Sequence, residues 1–180
     1  LSDALKGDFS ASYDSLADRI QEILALNGKI ADVASAIHKR NNFIVLSRGT
    51  MLGTGDECAL KLTECCYLFN RSYSSANFMH GPLSLLDENA NVIMLAPKGN
   101  FDDEFISMAK RINGLGATLT AFSNIPQVLE NAKNAVAMPD ADMLEAPMLY
   151  GVAVSLLALN TGLAKGLNVD TPRNLNKVTI

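Results

Sequence analysis

Residues 43–68 read FIVLSRGTMLGTGDECALKLTECCYL, and their apolar pattern changes from strand-like to helix-like across a glycine turn. Phe43-Ile44-Val45-Leu46 is a continuous, β-branched run without alternation, which suits a strand covered on both faces. Ser47-Arg48-Gly49 supplies the turn, and the spacing predicts a helix from about Gly55 to Leu68. The same alternation continues outward. Val92-Ile93-Met94-Leu95 reads as a second strand stopped at Pro97-Lys98-Gly99, followed by a helix over Asp102 to Asn113. Ala117 to Phe122 gives a third strand, Ala135 to Met138 a fourth, and a last helix runs from near Pro147 to Lys165-Gly166. Upstream, Leu16, Ile20, Ile23 and Leu24, then Ile30, Val33, Ala34 and Ile37, predict two helices within residues 10–40. Residues between Leu68 and His80 read as a short polar connector. Strands separated by helices imply βαβ crossovers, hence an α/β fold: three layers, α/β/α, around a mostly parallel central sheet.

The division expected is a helical lead-in over 1–40, an α/β domain over 41–166 and a tail over 167–180. At 48% hydrophobic and 19% charged, the chain has enough apolar side chains for one core. The net charge is −4 and no basic run exceeds the pair Lys39-Arg40, which argues against a nucleic-acid groove; a small anionic metabolite needs only local donors. The longest apolar run, Met148 to Leu159, falls short of the ~20 residues of a membrane span and reads as a buried helix. Cys58, Cys65 and Cys66 share one predicted helix without C-x-x-C spacing. Adjacent helical cysteines point apart, so the expectation is reduced, buried thiols rather than a metal site, and a cytoplasmic protein. The chain opens Leu1-Ser2-Asp3, without a leader-like segment and without Met, so a longer natural protein is expected.

Glu57, Lys61 and Glu64 stand at i, i+4 and i+7 and share one helical face, with Leu60 and Leu68 on another. A solvated face on which Glu57 pairs with Lys61 explains the spacing. So does a proton-transfer site, with Glu64 as general base and an ammonium beside it. The helix starts at the carboxyl end of a strand, where open α/β sheets bind ligands, and this favours the second reading. His80 precedes a Gly81-Pro82 turn and has the imidazole chemistry for proton transfer, although a lone loop histidine also fits a structural role. His38, beside Lys39 and Arg40, reads as a surface residue. Gly49, Gly53 and Gly55 match neither common phosphate-loop spacing. The turn Ser47-Arg48-Gly49-Thr50, with Thr54, nevertheless places donors near a helix N-terminus and is the candidate substrate-binding turn. In the tail, Lys177 could be a solvated terminal charge or a reactive amine, and Arg173 a phosphate ligand or an anchor.

Together these segments resemble a sugar isomerase (SIS) domain. They are most similar to the carboxy-terminal isomerase half of glutamine–fructose-6-phosphate aminotransferases and to the related glucosamine-6-phosphate deaminases. The resemblance rests on VLSRG (45–49), ECALKLTE (57–64), MHGPLSLLD (79–87) and the ending MLYGVAVSLLAL…LAKGLNVDTPRNLNKVT, in that order. It implies an SIS-type, flavodoxin-like fold and an enzyme interconverting fructose 6-phosphate and glucosamine 6-phosphate. Lys177 then falls on the imine-forming lysine, Glu64 on the base between C1 and C2, Lys61 on an assisting lysine and His80 on the ring-opening histidine. Glu57 is a supporting acid of the same helix. The tail is expected to reach this site, and the histidine to come from a neighbouring subunit, so the assembly would be at least a dimer. No metal or organic cofactor is implied. The chain carries no glutaminase segment, and Ala96-Pro97-Lys98-Gly99 replaces a serine-rich phosphate loop. A preceding SIS half holding the phosphate is therefore expected. A phosphosugar-binding or dimerisation module without catalysis is the alternative.

Overall fold

Five strands, β1 (Asn42–Ser47), β2 (Phe69–Ser74), β3 (Asn91–Ala96), β4 (Thr118–Ser123) and β5 (Asn134–Ala137), form one sheet in the order β2-β1-β3-β4-β5. Every neighbouring pair is parallel, with Asn42 opposite Phe69, Ile44 opposite Val92, Asn91 opposite Thr118 and Thr120 opposite Asn134. This is the doubly wound arrangement whose strand order reverses between β1 and β3. The computed structural model describes residues 12–175, with side chains from residue 15 onward.

Helices cover both faces. One carries α1 (Ser12–Ala25), α2 (Asn27–Ile37), α3 (Leu52–Cys66) and the long α7 (Ala146–Ala164). Its core joins Phe43, Val45, Ile93, Leu95, Phe122 and Val136 from the strands to Ile30, Ile37, Leu62, Leu149, Val154 and Leu157 from the helices. The opposite face carries α4 (Ser75–Phe78), α5 (Asp102–Gly114) and α6 (Pro126–Glu130), packed on Leu46, Val92, Met94, Leu119 and Ala121. Each fully buried Leu or Val contributes about 1.5–3 kcal/mol, so the run Leu149, Val154 and Leu157 is enough to fix α7 at the centre of its layer. By length and hydropathy α7 could cross a membrane; here half of it is buried between α2 and α3, as the core helix expected from Met148 to Leu159. Arg19 pairs with Glu145 and ties α1 to the start of α7.

Three local expectations need correction. The polar connector after Leu68 is in fact β2, an edge strand with sequence FNRSYS, followed by the single turn of α4. Its consecutive polar residues Asn70, Arg71 and Ser72 are tolerated because one edge of the strand is unpaired and part of one face is open. The helix predicted from Gly55 begins at Leu52, after a 3₁₀ turn over Gly49–Met51, and ends at Cys66. Leu24 faces outward at 41% exposure, while Ile23 carries the burial of α1.

Candidate active site

The first crevice to test lies at the carboxyl ends of β1 and β3, where the strand order reverses. It holds Arg48, Thr50, Pro97, Lys98, Asn100, Phe101, Asp142 and Met143, but its free space is only about 20 Å³. The chain's own side chains fill it. The Arg48 guanidinium lies 5.0 Å over the Phe101 ring, donates to Glu104 Oε2 at 3.2 Å and to Ser74 Oγ at 3.2 Å. Glu104 also accepts from the Ser75 hydroxyl. Thr50 Oγ1 donates to the Met143 carbonyl at 2.9 Å and Thr54 Oγ1 to the Pro147 carbonyl at 3.2 Å. Asp142 accepts the Leu144 and Glu145 backbone N–H groups at 2.7 and 2.8 Å, and those bonds hold its carboxyl below its ordinary value. Gly49 adopts φ 60 beneath Phe101. Of the candidate substrate turn, the Ser47 hydroxyl is buried and makes no hydrogen bond among the described residues. Arg48 is paired with a carboxylate, while Lys98 lines the same crevice without an ion pair among the described residues.

The acid–base candidates lie elsewhere. Lys61 Nζ stands 3.3 Å from Glu57 Oε1 and 4.0 Å from Glu64 Oε2, on a half-exposed face of α3. The hydrogen bond to Glu57, then its charge, raises the Lys61 ammonium above its ordinary value, so Lys61 is a fixed cation at neutral pH rather than a free amine. The location argued from sequence is corrected by the fold. Glu64 sits in the last turn of α3, about 18 Å of helix from Leu52. It stands beside the start of β2, whose Phe69 is level with Asn42 at the beginning of β1. It is therefore at the amino end of the sheet.

There Glu64 lines a groove of about 400 Å³ with Thr63, Tyr67, Leu68, Phe69 and the tail residues Arg173, Asn174 and Leu175. Arg173 lies 4.0 Å over the Tyr67 ring, and its backbone N–H donates to the Tyr67 hydroxyl at 3.0 Å. Of the two roles open to Arg173, the contacts made here are those of an anchor. Lys177 lies outside the described residues, two positions beyond Leu175, a chain span of at most about 7 Å.

His80 is exposed, and its ring makes no hydrogen bond among the described residues. Its backbone is fixed by the His80 N–H bond to the Asn77 carbonyl at 3.1 Å and by Gly81 at φ 151 before the Pro82–Leu85 3₁₀ turn. The fold does not bring it to Glu64. Phe78 and Leu86, on either side of His80, belong to one face of the sheet, whereas Cys58 and Leu62 of α3 belong to the other. The two groups of one chain are thus separated by the sheet.

All three cysteines are free thiols. Burial, then Cys66 and Glu57, pushes Cys58 up to about 12. Burial and Cys65 push Cys66 up to about 12, and its Sγ donates to the Ala158 carbonyl at 3.2 Å. Cys65, partly exposed beside Glu64, is raised by burial. These are packing groups rather than nucleophiles at neutral pH. Tyr67, unlike the acid–base residues, escaped the sequence reading. Its signal would have been a non-glycine residue at a helix end, where glycine is the usual occupant.

No family model matches the chain. Its curated relatives include the glutamine–fructose-6-phosphate aminotransferase of Shewanella oneidensis, 28% identical over 98% of this chain and 29% of that protein. The same enzyme of Buchnera aphidicola subsp. Acyrthosiphon pisum is 35% identical over 88% of this chain and 26% of that protein. The chain thus spans less than a third of these relatives. Among solved structures, the C-terminal domain of the Francisella tularensis glucosamine-fructose-6-phosphate aminotransferase superposes with a TM-score of 0.79 at 23% identity, covering 88% of this chain and 45% of that one. Tagatose-6-phosphate ketose/aldose isomerase from Escherichia coli superposes with a TM-score of 0.77 at 21% identity, over 96% and 49%.

Proposed function

From the premise that this chain is a sugar isomerase fold homologous to the glutamine–fructose-6-phosphate aminotransferases, we propose that it is the carboxy-terminal isomerase part of an amino-sugar phosphate enzyme. The reaction is the interconversion of fructose 6-phosphate and glucosamine 6-phosphate in the cytoplasm. The Lys177 amine condenses with the C2 carbonyl of the open-chain ketose, losing water to form an imine. Ammonia, supplied from outside these residues, exchanges with the imine, becoming the C2 nitrogen and freeing the Lys177 amine; Glu64 takes the acidified C1 proton and it is returned at C2, giving the open-chain amino aldose. Lys61, kept as an ammonium by Glu57, steadies charge beside the base. The opening of the sugar ring falls to His80 of a neighbouring copy, because the sheet separates His80 and Glu64 within one chain; the working unit is at least a dimer.

The observation that carries this reading is the groove in which Glu64 faces the tail at Arg173–Leu175, just short of the lysine the chemistry needs. The filled crevice at Arg48 supports a second element: the substrate phosphate is held by a preceding SIS half rather than by Ser47–Thr50. The test is Glu64→Gln in the assembled enzyme. Turnover should fall by roughly 10²–10⁴-fold while phosphosugar binding survives. Unchanged turnover would refute the role of Glu64. Binding without any turnover in the unsubstituted enzyme would favour a non-catalytic phosphosugar-binding or dimerisation module.

A further inference from the structure

The open part of the sheet face over β1 and β2 is a trough of about 430 Å³, which shares no residue with the crevice at Arg48. Its origin is the crossover from β2 to β3. All-parallel sheets ordinarily have both faces covered, and the connection between parallel strands usually supplies a helix to do it. The β3–β4 crossover provides the 13 residues of α5, but residues 75–90 provide only the 4 residues of α4 and the 3₁₀ turn over Pro82–Leu85. Strand alternation turns Phe69, Arg71 and Tyr73 of β2 and Ile44 of β1 to this face. Tyr73 and Ile44 pack on the core of that layer, whereas Phe69 is 86% exposed, and Leu85, which also lines the trough, is 55% exposed.

Arg71 gives the trough its chemistry. Its guanidinium lies 5.0 Å over the Tyr73 ring and has no ion pair among the described residues. A guanidinium stacked by one face on an aromatic ring keeps its in-plane N–H donors for a carboxylate, sulfonate or phosphate. Asp87 lines the same trough but does not neutralise Arg71; its Oδ1 accepts the Asn89 N–H at 2.9 Å within its own turn. A cavity of this volume, with aromatic and aliphatic walls and one unpaired cation, has the size and polarity of a small-molecule site. We propose that the trough binds a small amphipathic anion, with its charged group on the Arg71 guanidinium and its apolar body against Phe69 and Leu85. The site owes nothing to the imine chemistry, and a hexose phosphate, which has the charge without the apolar body, does not suit it. Phe69 also lines the Glu64 groove, so the two cavities adjoin at the start of β2 and a ligand in the trough would bear on a wall of that groove.

The test uses two fluorescent probes that share an aromatic body: anilinonaphthalenesulfonate, which carries an anionic group, and the uncharged phenylnaphthylamine. Each is titrated into the protein as the cell makes it and into Arg71→Gln and Leu85→Ser, whose substituted side chains are exposed and line the trough but not the Glu64 groove. The sulfonate should bind Arg71→Gln about tenfold more weakly than the unsubstituted protein, and the neutral probe should bind both alike. Leu85→Ser should weaken both probes, by about threefold. Fructose 6-phosphate should displace neither. Equal affinity of the sulfonate for Arg71→Gln and the unsubstituted protein would overturn the assignment of the anion to Arg71. Binding of neither probe would mean that the trough is covered in the assembled protein, and would overturn the site. Displacement by fructose 6-phosphate would return the probe to the substrate's own site and overturn the proposal as well.

Discussion

Replacing Gly162 by Ala sets helix propensity against packing, and the structure decides which wins. Gly162 is buried in the last turns of α7, where Ala would ordinarily stabilise a helix interior by about 0.5–1 kcal/mol. A Cβ at this position would lie 2.5 Å from Val169 Cγ1 and 3.1 Å from the Cys65 carbonyl oxygen. The valine methyl can move aside, but the carbonyl belongs to the backbone of α3, so relief requires α7 and α3 to separate. Overpacking of this kind costs about 1–3 kcal/mol. The net expectation is a loss of about 0.5–2 kcal/mol, which for a domain of this size lowers Tm by roughly 1–8 °C. Gly151→Ala is the control within the same helix. A Cβ there would meet nothing within 4 Å, so this substitution should gain up to about 1 kcal/mol. Urea denaturation of the two variants beside the unsubstituted chain gives the comparison directly. If Gly162→Ala is as stabilising as Gly151→Ala, the close approach of α7 to α3 at the base of the tail is not real.

Two shorter predictions concern the interior thiols and the filled crevice. Cys58 and Cys66 are raised from 9.0 to about 12 in the fold, so their contribution to stability is complete below pH 9 and is lost as pH rises from 9 towards 12. The urea midpoint should fall steeply over that window, and less steeply in Cys58→Ala; parallel curves would show that this thiol does not drive the loss. Gly49→Ala must hold φ 60 with a Cβ placed 2.8 Å from the Phe101 ring, and should destabilise by about 1–3 kcal/mol in thermal unfolding. A neutral result would mean Phe101 does not press on the turn below Arg48.

Much of the fold was legible because its decisive segments are apolar and continuous. VIML within β3 is buried throughout, and the run from Met148 to Leu159 could hardly be anything but a central helix. β2 was not legible, since an edge strand can carry Asn70, Arg71 and Ser72 without giving the alternation or the apolar run that marks a strand. The first turn of α3 was hidden by Gly53 beside Gly55, residues that weaken a helix in isolation and are accepted here through tertiary packing. At the site, helical spacing was enough to put Glu57, Lys61 and Glu64 on one face. It could not tell which end of the helix matters, because that depends on where β2 begins. The Tyr67–Arg173 contact joins residues far apart in sequence and has no periodicity to betray it.

The layer built from α1, α2 and α7 also imposes an order on synthesis. Ile23, Ile30, Val33 and Ile37 are buried in the finished protein, yet the helix that covers them begins more than a hundred residues after α2 ends. At translation rates of about 5–20 residues per second, those faces wait roughly 5–20 seconds for their partner. During that interval the nascent chain offers chaperones an amphipathic helical pair with nothing to pack on. Of the helices described here, the two made earliest are among the last to be secured.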